Sequence, residues 1–184
     1  MRVSSLVVSG LLAASLCTAS WTGLGVGSAA LAAAKPPARP IDPSFFAGKW
    51  YEIARTPNAG QRDCQAPTTE FTALAGQGFS VRQVCRRGSP SGAQRVFDTK
   101  GKIIAGTHNT RFTMNFLGGL KKQEYWVLDC ADDRSWGIMA TPGGNYVWLL
   151  SRQPVMSEPA KAQALARIKA LGYAKLEYPR QPPA

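Results

Sequence analysis

From Gly48 to Arg152 the chain alternates apolar and polar residues in short runs: "KWYEIART", "PTTEFTAL", "FSVRQVCR", "QRVFDTKGKIIA", "TRFTMNFL", "EYWVLDC", "SWGIMA" and "NYVWLLSR". A period of two is that of a β-strand, whose successive side chains point to opposite faces. Between the runs lie "AGQG", "RGSPSGA", "GTHN", "GGLKK", "ADDR" and "TPGG", rich in the residue types that close hairpins. Eight strands joined by such short links predict an antiparallel up-and-down meander, and closing it into a barrel removes its exposed edges. The predicted fold class is all-β.

After the last strand the period changes. "SEPAKAQALARIKALGY" places Ser157 at an N-cap, Glu158 and Pro159 in a first turn and Gly172 just past the end. Leu165, Ile168 and Leu171, with Ala164 beside them, form one apolar side, so one C-terminal helix should pack outside the sheet. The last strand fits this arrangement. Tyr146, Trp148, Leu150 and Arg152 share one face and Val147 and Leu149 the other. A strand apolar on both faces is covered on both, here by the interior and by the helix. In "TRFTMNFL" the polar face is wet, and Phe112, Met114 and Phe116 turn inward. Phe71, Phe97, Tyr146 and Trp148 complete the interior candidates. An eight-stranded barrel is just wide enough to be filled by side chains or to hold one small ligand, and these residues alone leave both outcomes open. With Trp50 inward, alternation carries Glu52 and Ala54 inward as well, and a buried carboxylate at Glu52 needs a partner.

The ends are different in kind. Residues 1–34 read as an export signal: Arg2, an apolar stretch diluted by Gly, Ser and Ala, then small residues with a cleavage site near Ala32 or Ala34. The alternatives are an uncleaved anchor or acylation at Cys17, where Leu16 precedes the cysteine in place of the small residue such a site prefers. A Pro-rich leader (35–42), a folded domain (43–178) and a Pro-rich tail (179–184) follow. Export implies an oxidising compartment. Once Cys17 leaves, Cys64, Cys85 and Cys130 remain, enough for one disulfide and one free thiol. The formal charge is +11, and Arg86, Arg87, Arg95, Lys100, Lys102, Lys121 and Lys122 are scattered over strands and loops. An anionic membrane surface is a candidate partner for that charge. Nucleic acid is not expected, since no stacking platform accompanies it. The lone His108 sits in a turn and reads as a solvated residue. No serine triad, phosphate loop, metal cluster or useful carboxylate pair is present, so neither catalysis nor a cofactor is expected.

The quoted motifs resemble those of the lipocalin family. "GKWYEIAR" is similar to its first signature, "EYWVLDCADDRSWGIM" to the region of the second and "YVWLLSRQP" to the third, in the right order and with the helix following. The resemblance is nearest to the bacterial lipocalin group and extends to apolipoprotein D. One departure is "CADDR", which offers Asp132 and Asp133 but no tyrosine in that turn. The resemblance implies an eight-stranded calyx in which Trp50 plugs the closed end, Arg152 lies across its indole and Gly48 is required by a tight backbone. It implies a Cys64–Cys85 disulfide, since similar bacterial lipocalins carry cysteines at both places and a hairpin about "AGQG" would bring the two together; pairings with Cys130 stay open. It also implies binding and carriage or storage of a small hydrophobic or amphipathic ligand, of the fatty acid or lysophospholipid class, by a monomer or weak dimer in the cell envelope. The calyx lining would be drawn from Glu52, Phe71, Phe97, Phe112, Met114, Phe116, Tyr146 and Trp148. Two alternatives come from other classes: an enzyme using a Cys130 thiolate inside the calyx, as some lipocalin-like enzymes do, and a secreted inhibitor whose barrel is filled by its own aromatics.

Overall fold

The structure is a computed structural model that describes residues 34–37 and 39–182. The proposed export segment, Ala34 apart, lies outside the described residues, and so does Cys17. A 3₁₀ turn over Pro43–Phe46 leads into β1 (Gly48–Arg55). There follow β2 (Cys64–Ala73), β3 (Gly78–Arg87), β4 (Gln94–Ile103), β5 (Arg111–Phe116), β6 (Lys121–Cys130), β7 (Trp136–Ala140) and β8 (Val147–Ser151). Each strand pairs antiparallel with the next, and β8 pairs with β1, closing the barrel. The helix α1 (Glu158–Ala170) comes last. All eight runs of alternating residues are strands, and the change of period is the helix.

The apolar residues divide into two clusters, on opposite sides of the sheet. Outside, Ala164 and Ile168 of α1 are buried against Ile53, Ala54, Ile138, Val147 and Leu149, with Leu165 and Leu171 packed at the margin. This is the second face expected for the last strand. Gly172 takes φ +99° just past the helix. Ser157 does occupy the N-cap position, but its hydroxyl makes no capping bond. Inside, Phe45 and Phe46 of the 3₁₀ turn swing under the barrel and join Trp50, Phe71, Phe79 and Phe112 in a buried aromatic mass. Ring centroids within it lie 4.9–6.5 Å apart, mostly tilted or edge-on, the spacing that aromatic quadrupoles favour. Two glycines make room for it. A Cβ on Gly101 would stand 2.4 Å from the Phe79 ring, and one on Gly137 would stand 2.5 Å from Phe45.

This mass defines a closed end, where β1 begins and where the β2–β3, β4–β5 and β6–β7 connections lie. The β1–β2, β3–β4, β5–β6 and β7–β8 connections ring the open end. Cys64, at the start of β2, and Cys85, near the end of β3, are joined by a disulfide at the open end, with a sequence separation of 21. Closing a loop of that length contributes about 3 kcal/mol in the chain-entropy account.

Strand β1 contains the main departure from simple alternation. Glu52 pairs with Leu150, but Ala54 pairs with Leu149, so Ile53 is an extra, bulged residue. A bulge shifts the parity of everything after it. Ala54, expected inside, faces the outer cluster under the helix, and Arg55, which unbroken alternation would turn outward, is buried beside Glu52. The chain after the helix returns over the same strands. Glu177 bridges to Arg55 through paired backbone bonds, and Gln181 donates to the carbonyls of Glu52 and Pro67.

Candidate ligand-binding cavity

The floor is built around Trp50, which is fully buried. Its indole N–H donates to the Phe45 carbonyl at 2.9 Å, tying the 3₁₀ turn to the first strand. The Arg152 guanidinium lies 3.6 Å from the centre of the indole ring, a cation–π contact worth roughly 0.5–2 kcal/mol. The same guanidinium donates to the carbonyls of Ser44, Ala47 and Lys49 at 2.8–3.1 Å. Arg152 therefore locks the turn as well as the ring. At Gly48 the constraint lies in the backbone conformation and not in contacts of a side chain. Its φ is +72°, a left-handed conformation costly to residues with a side chain, while a Cβ there would meet Arg152 only at an ordinary 3.6 Å.

Above the floor the barrel is hollow. A cavity of about 520 Å³ opens toward the mouth, within the ordinary size range of small-molecule sites. Its depth is apolar, lined by Phe71, Met114, Met139 and Leu150, with Phe116 and Trp148 above them toward the mouth. Its β2–β3 wall is polar, with Thr69 and Gln83 facing each other there. Tyr125 also lines the cavity, stacked on Phe112 at 5.5 Å, and burial pushes its hydroxyl up to about 12, so it stays protonated and able to donate. The barrel is thus filled in its lower half and empty in its upper half.

A buried polar group closes one side of the cavity. Glu52 faces inward, as alternation from Trp50 predicts, and its partner is Arg55 at 2.6 Å. Arg55 also contacts Glu177 at 2.5 Å and donates to the carbonyls of Gln61 and Cys64. A 3₁₀ turn over Ala59–Gln61 in the β1–β2 connection brings Gln61 into the same group. Its amide donates to Glu52 at 2.8 Å, and its oxygen accepts from Asn58 at 2.8 Å and from the Trp148 indole at 3.0 Å. Burial raises the Glu52 pKa above the usual carboxylate range, against the opposing pull of Arg55 and Gln61.

The sequence candidates fall into place unevenly. Glu52, Phe71, Phe97, Met114, Phe116 and Trp148 line the cavity. Phe112 does not: it is buried in the floor, because β5 starts at the closed end and its first inward residue is the deepest. Tyr146 does not either. It precedes β8 and stands at the rim, 38% exposed, packed on Trp148 at 6.0 Å. Met139, Leu150 and Tyr125 were not anticipated as lining, although alternation from Trp148 reaches Leu150. Gln61 sits in a loop without periodicity. Its only signals were indirect: a buried carboxylate and an inward indole N–H both require partners.

Cys130 is the last residue of β6, at the closed end, and carries a free thiol. It is absent from the cavity lining, and burial raises its pKa, with Asp129 and Asp132 adding to the shift and Arg39 opposing it. A thiolate nucleophile needs a lowered value and access to substrate; the alternative of a calyx thiolate finds neither at Cys130, which is a half-buried thiol outside the cavity. His108 is exposed in the closed-end turn between β4 and β5.

Comparison with known proteins agrees with this geometry. The lipocalin-like domain profile matches residues 41–181. An outer membrane lipoprotein Blc of Citrobacter freundii is 28% identical over 152 residues, covering 78% of this chain and 81% of that protein. The Vibrio cholerae serotype O1 protein of the same name is 27% identical over 114 residues, 60% of this chain and 64% of its own length. Among solved structures, insecticyanin from the tobacco hornworm Manduca sexta superposes with a TM-score of 0.64 at 21% identity, covering 80% of this chain and 84% of its own; that likeness concerns the fold. With a profile match across the whole barrel and helix, the chain belongs to the lipocalin family, in its bacterial lipocalin group.

Proposed function

We propose that the protein binds a single-chain amphipathic lipid, of the fatty acid or lysophospholipid class, and carries or stores it in the cell envelope. The observation that carries this reading is the cavity of about 520 Å³, apolar in its depth and polar on one wall, above a sealed aromatic floor. The acyl chain lies against Met114, Met139 and Leu150. The head group stays at the mouth, where Arg95 lines the opening and is exposed. Removing about twelve methylenes from water supplies roughly 10 kcal/mol gross. Immobilising and ordering the ligand takes back several of these, leaving micromolar affinity. The carboxylate on the cavity wall is Glu52, already engaged by Arg55 and Gln61, which favours a tail and disfavours an anionic head beside it. The envelope location draws support from the bacterial relatives, which are outer membrane lipoproteins by name.

The test is native mass spectrometry of protein purified from its own cells, then offered a fatty acid and a lysophospholipid. The reading expects a one-to-one adduct with the mass of a single-chain lipid, displaced by the added compounds. Protein that stays ligand-free with both compounds present contradicts it.

A further inference from the structure

The mouth carries apolar side chains that no described part of the chain covers. Leu117 and Leu120, at the tip of the β5–β6 connection, are 73% and 91% exposed. Between them Gly118 and Gly119 take φ of +66° and +98°, and a Cβ added to either would meet nothing within 4 Å. The tip projects into solvent. Val96 and Phe97 of β4 extend the patch at 41% and 42% exposure. Phe97 stacks on Phe116 at 5.5 Å, and all three of these side chains also line the cavity, so the patch runs without a break into the binding site. Below it the β4–β5 ladder is short. Only Gly101, Lys102 and Ile103 pair with β5, and Gln94 to Asp98 have no ladder partner on that side. The barrel wall beside the patch is therefore closed by side chains and not by a continuous ladder.

Charge is distributed along the same axis. Of the eleven Asp and Glu residues, only Asp63 lies in an open-end connection. Asp42, Asp129, Asp132 and Asp133 lie at the closed end, and Glu177, near the mouth, is paired with Arg55. Exposed Arg62, Arg87, Arg95, Lys121, Lys122 and Arg180 surround the open end. Apolar tips set among cations match an anionic bilayer, which accepts the side chains into its interfacial layer and attracts the charges. A protein partner would need one contiguous apolar face. Here the exposed apolar residues form a narrow ridge on one side of the mouth, led by the projecting Leu117–Leu120 tip, which a deformable hydrocarbon layer accepts more readily than a flat protein face does.

We propose that the open end docks mouth-down on an anionic lipid surface, with Leu117 and Leu120 entering the interface and Arg95, Lys121 and Lys122 resting on lipid phosphates. A lipid then passes between bilayer and cavity along Val96, Phe97 and Phe116 without crossing bulk water.

The test is flotation of the purified protein with phosphatidylcholine vesicles, with and without a minority of phosphatidylglycerol. The wild type floats with the anionic vesicles, and added salt weakens this. L117S/L120S and K121Q/K122Q each lower binding roughly tenfold or more. K100Q/K102Q removes the same charge from exposed sites on the closed half of β4 and floats like the wild type. All variants carry the same N-terminal segment, so any lipid affinity of that segment cancels. Equal flotation on neutral and anionic vesicles, no flotation at all, or equal losses for the two lysine pairs overturns the proposal. Adducts in the mass-spectrometric experiment are read separately, so failure of docking and failure of ligand binding are distinguishable.

Discussion

Replacing Arg55 with leucine will cost about 3–5 kcal/mol of folding stability at neutral pH, the usual result of stripping one partner from a buried ion pair. Glu52 would be left in a low-dielectric wall with only Gln61 to satisfy it, and Glu177, which is partly exposed, would lose less. The effect has a pH signature. The Glu52 pKa is already raised by burial, so the folded chain holds that proton more tightly than the unfolded one. The stability contributed by this difference is complete below the ordinary glutamate range and is lost as pH rises through the raised folded value. Without Arg55 that value rises further, and the loss extends to higher pH. Urea denaturation at several pH values will therefore find Arg55→Leu nearest the wild type in acid and furthest from it near neutrality and above. The double variant Glu52→Gln/Arg55→Leu leaves no buried charge behind and will recover much of the loss, with strong non-additivity between the two sites. A loss below about 1 kcal/mol that is flat in pH would show that the pair is not buried as described.

Truncating Trp50 to alanine will cost a comparable 3–5 kcal/mol. It removes a fully buried ring, the hydrogen bond to Phe45 and the surface on which Arg152 lies. The comparison that gives this meaning is Trp148→Ala. Trp148 has the same side chain on the cavity wall, where one side of the ring already faces empty space. Its truncation will cost clearly less, because few contacts are lost toward a void. If thermal or urea denaturation gives equal losses for the two, the division of the barrel into a packed floor and a hollow upper half is wrong.

Much of this architecture was legible in the sequence, and the reasons are local. Period-two alternation bounded by turn residues marked all eight strands, and the change of period at Ser157 marked the helix. Gly48, Trp50 and Arg152 were recognisable through the family resemblance, which carries those residue types in that order, and not through alternation. What escaped depended on events that alternation does not encode. The bulge at Ile53 exchanged the faces of Ala54 and Arg55, and so hid the partner of Glu52 three residues away from it. Phe112 and Phe97 both read as inward aromatics, but depth along the barrel depends on where each strand begins, so one lies in the floor and the other at the mouth. Phe45 and Phe46 arrive from a short 3₁₀ turn with no strand pattern and fill the space that turns the lower half into core. Whether the barrel was filled or hollow could not be read from the interior residues alone. The answer is both, at different heights.

The central claim is that the upper half of the barrel is an open apolar cup which takes a lipid tail. The most direct measurement is a titration with palmitate, followed by intrinsic fluorescence, on the wild type and on Met139→Trp. Met139 lines the cavity, and the larger ring would grow into the hollow. The account predicts saturable micromolar binding by the wild type and at least a tenfold weaker affinity in the variant, with its melting temperature retained. Binding of equal strength in both proteins, or none in the wild type, would contradict it.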